Sequence, residues 1–163
     1  MSTLVTPIVN RIANTLIERK QTVAISESAA GGLIAAQLLA VPGASRYFLG
    51  GGVVYTRQSR SGLLGIADAQ MSGIRSASEP YATLCAQTIR DSLSATWGLA
   101  ETGAAGPTGN RYGDAAGHAC VAVAGPTTGV RTIETGMDDR EANMWAFAEA
   151  ALTLLEERLQ AAT

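Results

Sequence analysis

Three short stretches carry residues that could do chemistry. The first is Ser26-Glu27-Ser28-Ala29-Ala30-Gly31-Gly32, set between the apolar run Val23-Ala24-Ile25 and the helix-like Leu33-Ile34-Ala35-Ala36-Gln37-Leu38-Leu39. Strand, tight turn and helix start can hold a serine hydroxyl at a strand end and aim backbone N–H groups at a negative charge. That suits a nucleophile or an anion site; it equally suits a plain N-cap, with Ser28 capping and the glycines allowing close packing. The second stretch is Thr102-Gly103-Ala104-Ala105-Gly106-Pro107-Thr108-Gly109, whose small side chains permit close backbone approach to a ligand or simply form a turn. The third is Val53-Val54-Tyr55-Thr56-Arg57-Gln58-Ser59-Arg60-Ser61, with Tyr55 closing an apolar strand and Arg60 on the next helix; an interfacial tyrosine beside solvated arginines is the alternative.

A serine nucleophile needs a proton acceptor, and the chain has few. Lys20 is the only lysine and His118 the only histidine. A Walker P-loop is excluded because no Gly-Lys-Ser/Thr follows the glycine-rich stretch, and no G-x-G-x-x-G is present. One histidine and two well-separated cysteines, Cys85 and Cys120, speak against a zinc site, so neither metal nor cofactor is expected.

The elements that must position these stretches follow from periodicity. Ile8, Ile12, Leu16 and Ile17 predict an amphipathic helix over 7–19, and residues 22–25 a buried strand. Residues 31–41 read as a mostly apolar helix stopped by Pro42-Gly43, and 47–55 as a strand bent at Gly50-Gly51-Gly52, where the backbone approaches a ligand or another chain. A short helix over 57–64 ends at Gly65, and 67–76 read as a turn with a short helix or edge segment. Ser78-Glu79-Pro80 starts a helix running toward Trp97 with Leu84, Thr88, Ile89 and Leu93 inward. A strand over 99–105, a loop over 106–117, a hairpin of 118–124 and 130–135, and a helix capped by Asp138 or Asp139 complete the pattern. Helices packed on a mixed sheet make one layered α/β domain over 1–163. Its ligand site belongs beyond the carboxyl ends of the strands.

Composition agrees. The chain has 163 residues, 47% of them hydrophobic and 16% charged, enough for one core. A net charge of −2 implies no basic face for nucleic acid. No apolar run reaches the ~20 residues of a membrane span, and the N-terminus lacks a signal-peptide pattern. The cysteines read as buried thiols. A cytoplasmic protein acting on a small molecule, without nucleic-acid or membrane partners, is the expectation.

In order and spacing, these pieces resemble the CinA C-terminal domain family, whose characterised activity is nicotinamide mononucleotide deamidation. The matching residues are Glu27-Ser28 with Gly31-Gly32, Gly43-Ala44-Ser45 before Phe48, Gly52-Val53-Val54-Tyr55, Leu64-Gly65, Ser78-Glu79-Pro80, Gly103-Ala104-Ala105-Gly106-Pro107, Gly117 and Asp139-Arg140. The resemblance implies a three-layer α/β/α sandwich with a mixed sheet, a homo-oligomer, and metal-independent amide hydrolysis in the pyridine nucleotide cycle. Carried over, Ser28 would be the nucleophile with Tyr55 beside it. Gly31, Gly32, Ser45, Gly103, Ala104, Ala105, Gly106, Thr108, His118 and Arg140 would line the substrate pocket. Arg60 is the third candidate catalytic residue, and as a fixed cation it also suits bidentate contacts to a phosphate or carboxylate.

The chain departs from the family at Ala30, where a threonine is usual, and at Arg60, where the family has a lysine as base. It also departs at His118, in place of a threonine, and at Asn143, Met144 and Trp145. An arginine does not give up its proton in a protein, so Arg60 cannot take one from serine. Three readings follow: Tyr55 is the base, with Arg60 as the adjacent cation favouring its phenolate; His118 is the base; or the pocket has lost amidase activity and binds a small anionic ligand. Residues 31–41 and the 50–52 glycines are candidates for a subunit contact.

Overall fold

Side chains alternate across a strand, and here the alternation assigns the layers. In the computed structural model, which describes residues 3–163, strands β1 (Val23–Glu27), β2 (Phe48–Val53), β3 (Trp97–Ala104), β4 (His118–Ala124) and β5 (Gly129–Glu134) form one sheet in the order β2-β1-β3-β4-β5. β1 runs parallel to β2 and β3, while β4 and β5 add antiparallel. Val23, Ile25, Leu99, Val121 and Val123 face one core, shared with α1 (Pro7–Arg19), α2 (Leu33–Leu39) and α5 (Arg140–Ala161). Ala24, Ala100, Cys120, Ala122 and Ala124 face a second core beneath α4 (Glu79–Leu93) and the end of α3 (Arg57–Leu64). The result is a three-layer α/β/α sandwich around a mixed sheet. The alanine-rich face lets α4 lie close.

Local chemistry accounts for the helix starts. Asp139 caps α5 by accepting the Ala142 N–H, Ser78 caps α4 through Tyr81, and Thr56 and Ser59 cap α3 reciprocally. Two expectations need correction. Helix α4 stops at Leu93, because Ser94 takes a left-handed conformation that ends it, and Trp97 already opens β3 with its indole buried and bonded to Gln21. Its inward face is Tyr81, Ala82, Cys85, Ala86 and Ile89, whereas Leu93 is exposed. The glycine-rich β2 is an edge strand whose close approach is internal: a Cβ at Gly51 would lie 2.0 Å from the Ile25 carbonyl oxygen of β1. Leu49 and Val53 on that edge are exposed. Cys85 and Cys120 are both buried and unpaired. No described helix is long and apolar enough to cross a membrane.

Candidate active site

A cavity of about 600 Å³ opens beyond the carboxyl ends of β1, β2 and β3, on the α4 side of the sheet. This is where a parallel sheet leaves space for a ligand. Ser28 follows β1 into its wall. Val54, Tyr55 and Thr56 enter after β2, Thr102 and Gly103 close β3, and α3 supplies Arg57 and Arg60. Residues 74–77, Tyr81 and the 110–112 loop complete the far wall.

Two buried glutamates, not Ser28, hold the turn after β1. Glu27 accepts the N–H groups of Gly32, Ile34 and Ala35 at 2.9, 3.1 and 3.0 Å, so Glu27 caps α2. Glu101 of β3 accepts those of Ser28 and Ala30 at 2.9 and 2.8 Å. By strand alternation Glu27 and Glu101 point into the α2/α5 layer, opposite the cavity. The N–H groups expected to stabilise an oxyanion are therefore committed on the wrong side of the sheet. Burial pushes the Glu101 carboxyl up to about 7, against the pull of its N–H donors and with a further push from Glu27. Burial also raises Glu27. Glu101 Oε2 is buried without a partner. Gly31 and Gly32 serve the turn with φ of 66° and 103°, which side chains disfavour, and they lie outside the cavity wall.

Tyr55 is an exposed wall residue whose hydroxyl receives a hydrogen bond from Arg140 Nη2 at 3.0 Å. The cation on Tyr55 is thus Arg140, while Arg60 engages Asp68. Arg140 Nη1 also donates to the Gly106 carbonyl at 2.6 Å, so this arginine straps the β2 end to the 103–108 loop rather than lining the cavity. Asn143, fully buried, holds the same loop by donating to the carbonyls of Ala105 and Met137. Of that loop only Gly103 reaches the cavity; Ala104, Ala105, Gly106 and Thr108 lie outside it. Asn143→Ala should destabilise the protein by about 2 kcal/mol, the scale for stranding buried carbonyls, readable as a lower urea midpoint; an unchanged midpoint would remove this role.

His118 is clamped outside the cavity wall. Nδ1 meets Glu134 at 2.6 Å, Nε2 meets the Ala77 carbonyl at 2.8 Å, and Asp114 lies 3.6 Å from Nε2. Burial lowers its pKa, but Glu134, Ala77 and Asp114 outweigh that and the net shift is upward. With both ring nitrogens facing acceptors it is a charged pin, not a base for Ser28. Ser45 sits in the turn Ala44–Arg46 before β2, at the amino ends of the parallel strands and far from the cavity.

The structure brings together residues that motif reading overlooked. Asp68 pairs with Arg57 and, at 3.1 Å, with Arg60. Arg75 bonds Asp114 at 2.7 Å, and Arg75 and Arg111 each lie over the Tyr112 ring, 5.1 and 5.2 Å from its centre. The cavity wall thus carries Arg57, Arg60, Arg75 and Arg111, of which the first two share Asp68 and Arg75 is paired with Asp114. Arg57 and Arg60 stand in the third stretch of the sequence, but no motif points to Asp68, Arg75 or Arg111. Among the described residues no cluster of side chains could hold a metal ion.

A family model described as the CinA C-terminal domain matches residues 5–159. The chain is 34% identical over 151 residues to a "CinA-like protein" of Desulforapulum autotrophicum, covering 91% of this chain and 35% of that one. It is 38% identical over 154 residues to a "CinA-like protein" of Chlorobaculum tepidum, covering 91% and 36%. The chain thus spans about a third of the length of these curated relatives. Among solved structures, a competence-damaged protein (CinA) superfamily protein of Klebsiella pneumoniae superposes with a TM-score of 0.87 at 24% identity, covering 94% of this chain and 96% of that one. A competence or damage-inducible protein of Enterobacter asburiae matches at 0.85 and 26% identity, covering 100% of each.

Proposed function

The chain belongs to the CinA C-terminal domain family, and from that premise we propose that it hydrolyses the carboxamide of nicotinamide mononucleotide or a related small amide, with Ser28 as nucleophile. The observation that carries the reading is that Ser28 shares one cavity with four arginines. A reacting hydroxyl and a phosphate-holding set then lie within reach of one small nucleotide.

In this reading Ser28 Oγ attacks the carboxamide carbon. Its proton passes through the Tyr55 hydroxyl, which Arg140 orients, to the departing amide nitrogen. Ammonia leaves, and water then releases the acid from the serine ester. The test is ammonia release from nicotinamide mononucleotide by the wild type and Ser28→Ala. Release that disappears in the variant supports the reading, and no release from any of a panel of pyridine carboxamides sinks it. Arg60→Lys should raise the rate tenfold or more, since a lysine at this position can accept the serine proton and general-base help contributes on the order of 10²–10⁴-fold. An unchanged rate would place residue 60 outside the reacting site.

One observation favours a second reading. The N–H groups of Ser28, Ala30 and Gly32 are taken by Glu101 and Glu27, which suits a relative that binds a small anionic ligand without turning it over. Calorimetry showing nucleotide binding with no ammonia release would establish it.

A further inference from the structure

We infer that Arg60 makes the cavity hold a carboxylate in preference to a neutral carboxamide, so that its tightest ligand is a phosphate-bearing pyridine carboxylate. The inference rests on the reading that this cavity takes such a nucleotide, and it assigns residue 60 the opposite of a base's task.

Arg60 is only 9% exposed, yet it forms part of the cavity wall. One amino group, Nη2, is satisfied by Asp68. Its Nε is buried and has no acceptor at all. A buried guanidinium N–H without a partner is costly, and a ligand oxygen that reaches it removes that cost. Asp68 cannot neutralise this charge alone, because it is shared with Arg57. Of the two, Arg57 is the exposed one at the cavity's mouth, with 73% side-chain exposure against 11% for Arg60.

Position matters as much as charge. Arg60 and Tyr81 line the same cavity as Ser28, which follows the carboxyl end of β1. Across the cavity beside Tyr112, Arg75 is held by Asp114, while Arg111, bonded to the neighbouring Tyr112 hydroxyl, is the arginine available to a phosphate. A nucleotide whose phosphate lies there presents its other end toward Arg60. A carboxylate offers that end two acceptor oxygens, and the guanidinium edge is built from donors alone. A carboxamide offers one acceptor and an NH₂ group, which sets donor against donor.

The experiment is calorimetric titration, at pH 7.5, with nicotinic acid mononucleotide and nicotinamide mononucleotide. It is run on the wild type and on Ser28→Ala, so that conversion of the amide does not distort the comparison. The acid should bind at least tenfold more tightly than the amide. In Arg60→Gln that ratio should fall to within about twofold while both nucleotides still bind, whereas Arg111→Gln should weaken both and leave the ratio standing. Equal binding, or tighter binding of the amide, overturns the inference and leaves the proposed cavity intact. A ratio that survives Arg60→Gln also overturns it. Binding of neither nucleotide overturns both. The wild-type comparison decides the matter even if Arg60→Gln fails to fold.

Discussion

Raising the pH from about 5 to about 8 should cost the wild-type protein about 2–3 kcal/mol of stability that Glu101→Gln retains. The cause is the buried carboxyl on β3, pushed up to about 7 from an ordinary 4.5. Because the folded value is the higher one, the folded protein binds the proton more tightly than the unfolded chain across that interval. The contribution is complete below about 4.5 and disappears as pH rises through 7. His118 and Glu27, whose values are also raised, act in the same direction and are present in both proteins, so the difference between wild type and variant reports the Glu101 carboxyl together with its push on Glu27. Asp68 and Asp114, both lowered, act below their ordinary range and leave this interval alone. Glutamine preserves an oxygen for the Ser28 and Ala30 N–H groups while removing the charge. Urea midpoints measured across the range test this; parallel pH profiles for the two proteins would show that Glu101 titrates normally.

Replacing Glu27 by alanine should have a comparable effect at any pH. Three N–H groups at the start of α2 would lose their acceptor in a turn that is only partly open to water. Each stranded donor costs about 1–3 kcal/mol, and some will find partial substitutes, so a loss of about 3 kcal/mol is expected. For a domain of this size that corresponds to a fall in Tm of roughly 6–12 °C. Glu27→Gln, which keeps an acceptor oxygen, should fall by less than half as much. Equal losses in the two variants would mean that volume or burial, rather than capping, explains the residue. Both variants also disturb the Ser28 turn, so nucleotide binding should weaken in step with stability.

These two glutamates show where reading the sequence runs short. The Ser26–Gly32 pattern correctly marks strand, turn and helix, because those features are local: a β-branched run, small residues, then helical spacing. What caps the helix is not local in the same way. Ser28 has the residue type of a cap, but strand alternation turns Glu27 inward, and Glu101 arrives from 73 residues away. Glu27 belongs to the Glu27-Ser28 piece of the family pattern, which gives no sign of its capping role, and Glu101 belongs to none of the matching pieces. The same limit applies to the arginine set. Arg57 and Arg60 lie close in sequence, yet Arg75 and Arg111 join them only because α4, β3 and the loop after it return the chain to one side of the sheet. Ser45 illustrates the converse. It matches the family order, and parallel pairing then carries it to the far end of the sheet.

From its sequence alone this chain determines its elements, its layered α/β class and the neighbourhood of its site, because hydrophobic period, capping residues and turn glycines act over a few residues. The tertiary structure decided which face of each strand meets the cavity, and therefore what each polar residue does. It gave the turn after β1 and the helix N-terminus to two glutamates, clamped His118 with Glu134 and Ala77, and left the buried Nε of Arg60 without a partner. Those outcomes depend on burial and on contacts between residues far apart in the chain, where a partner's distance and desolvation set the energy, and no local pattern encodes them.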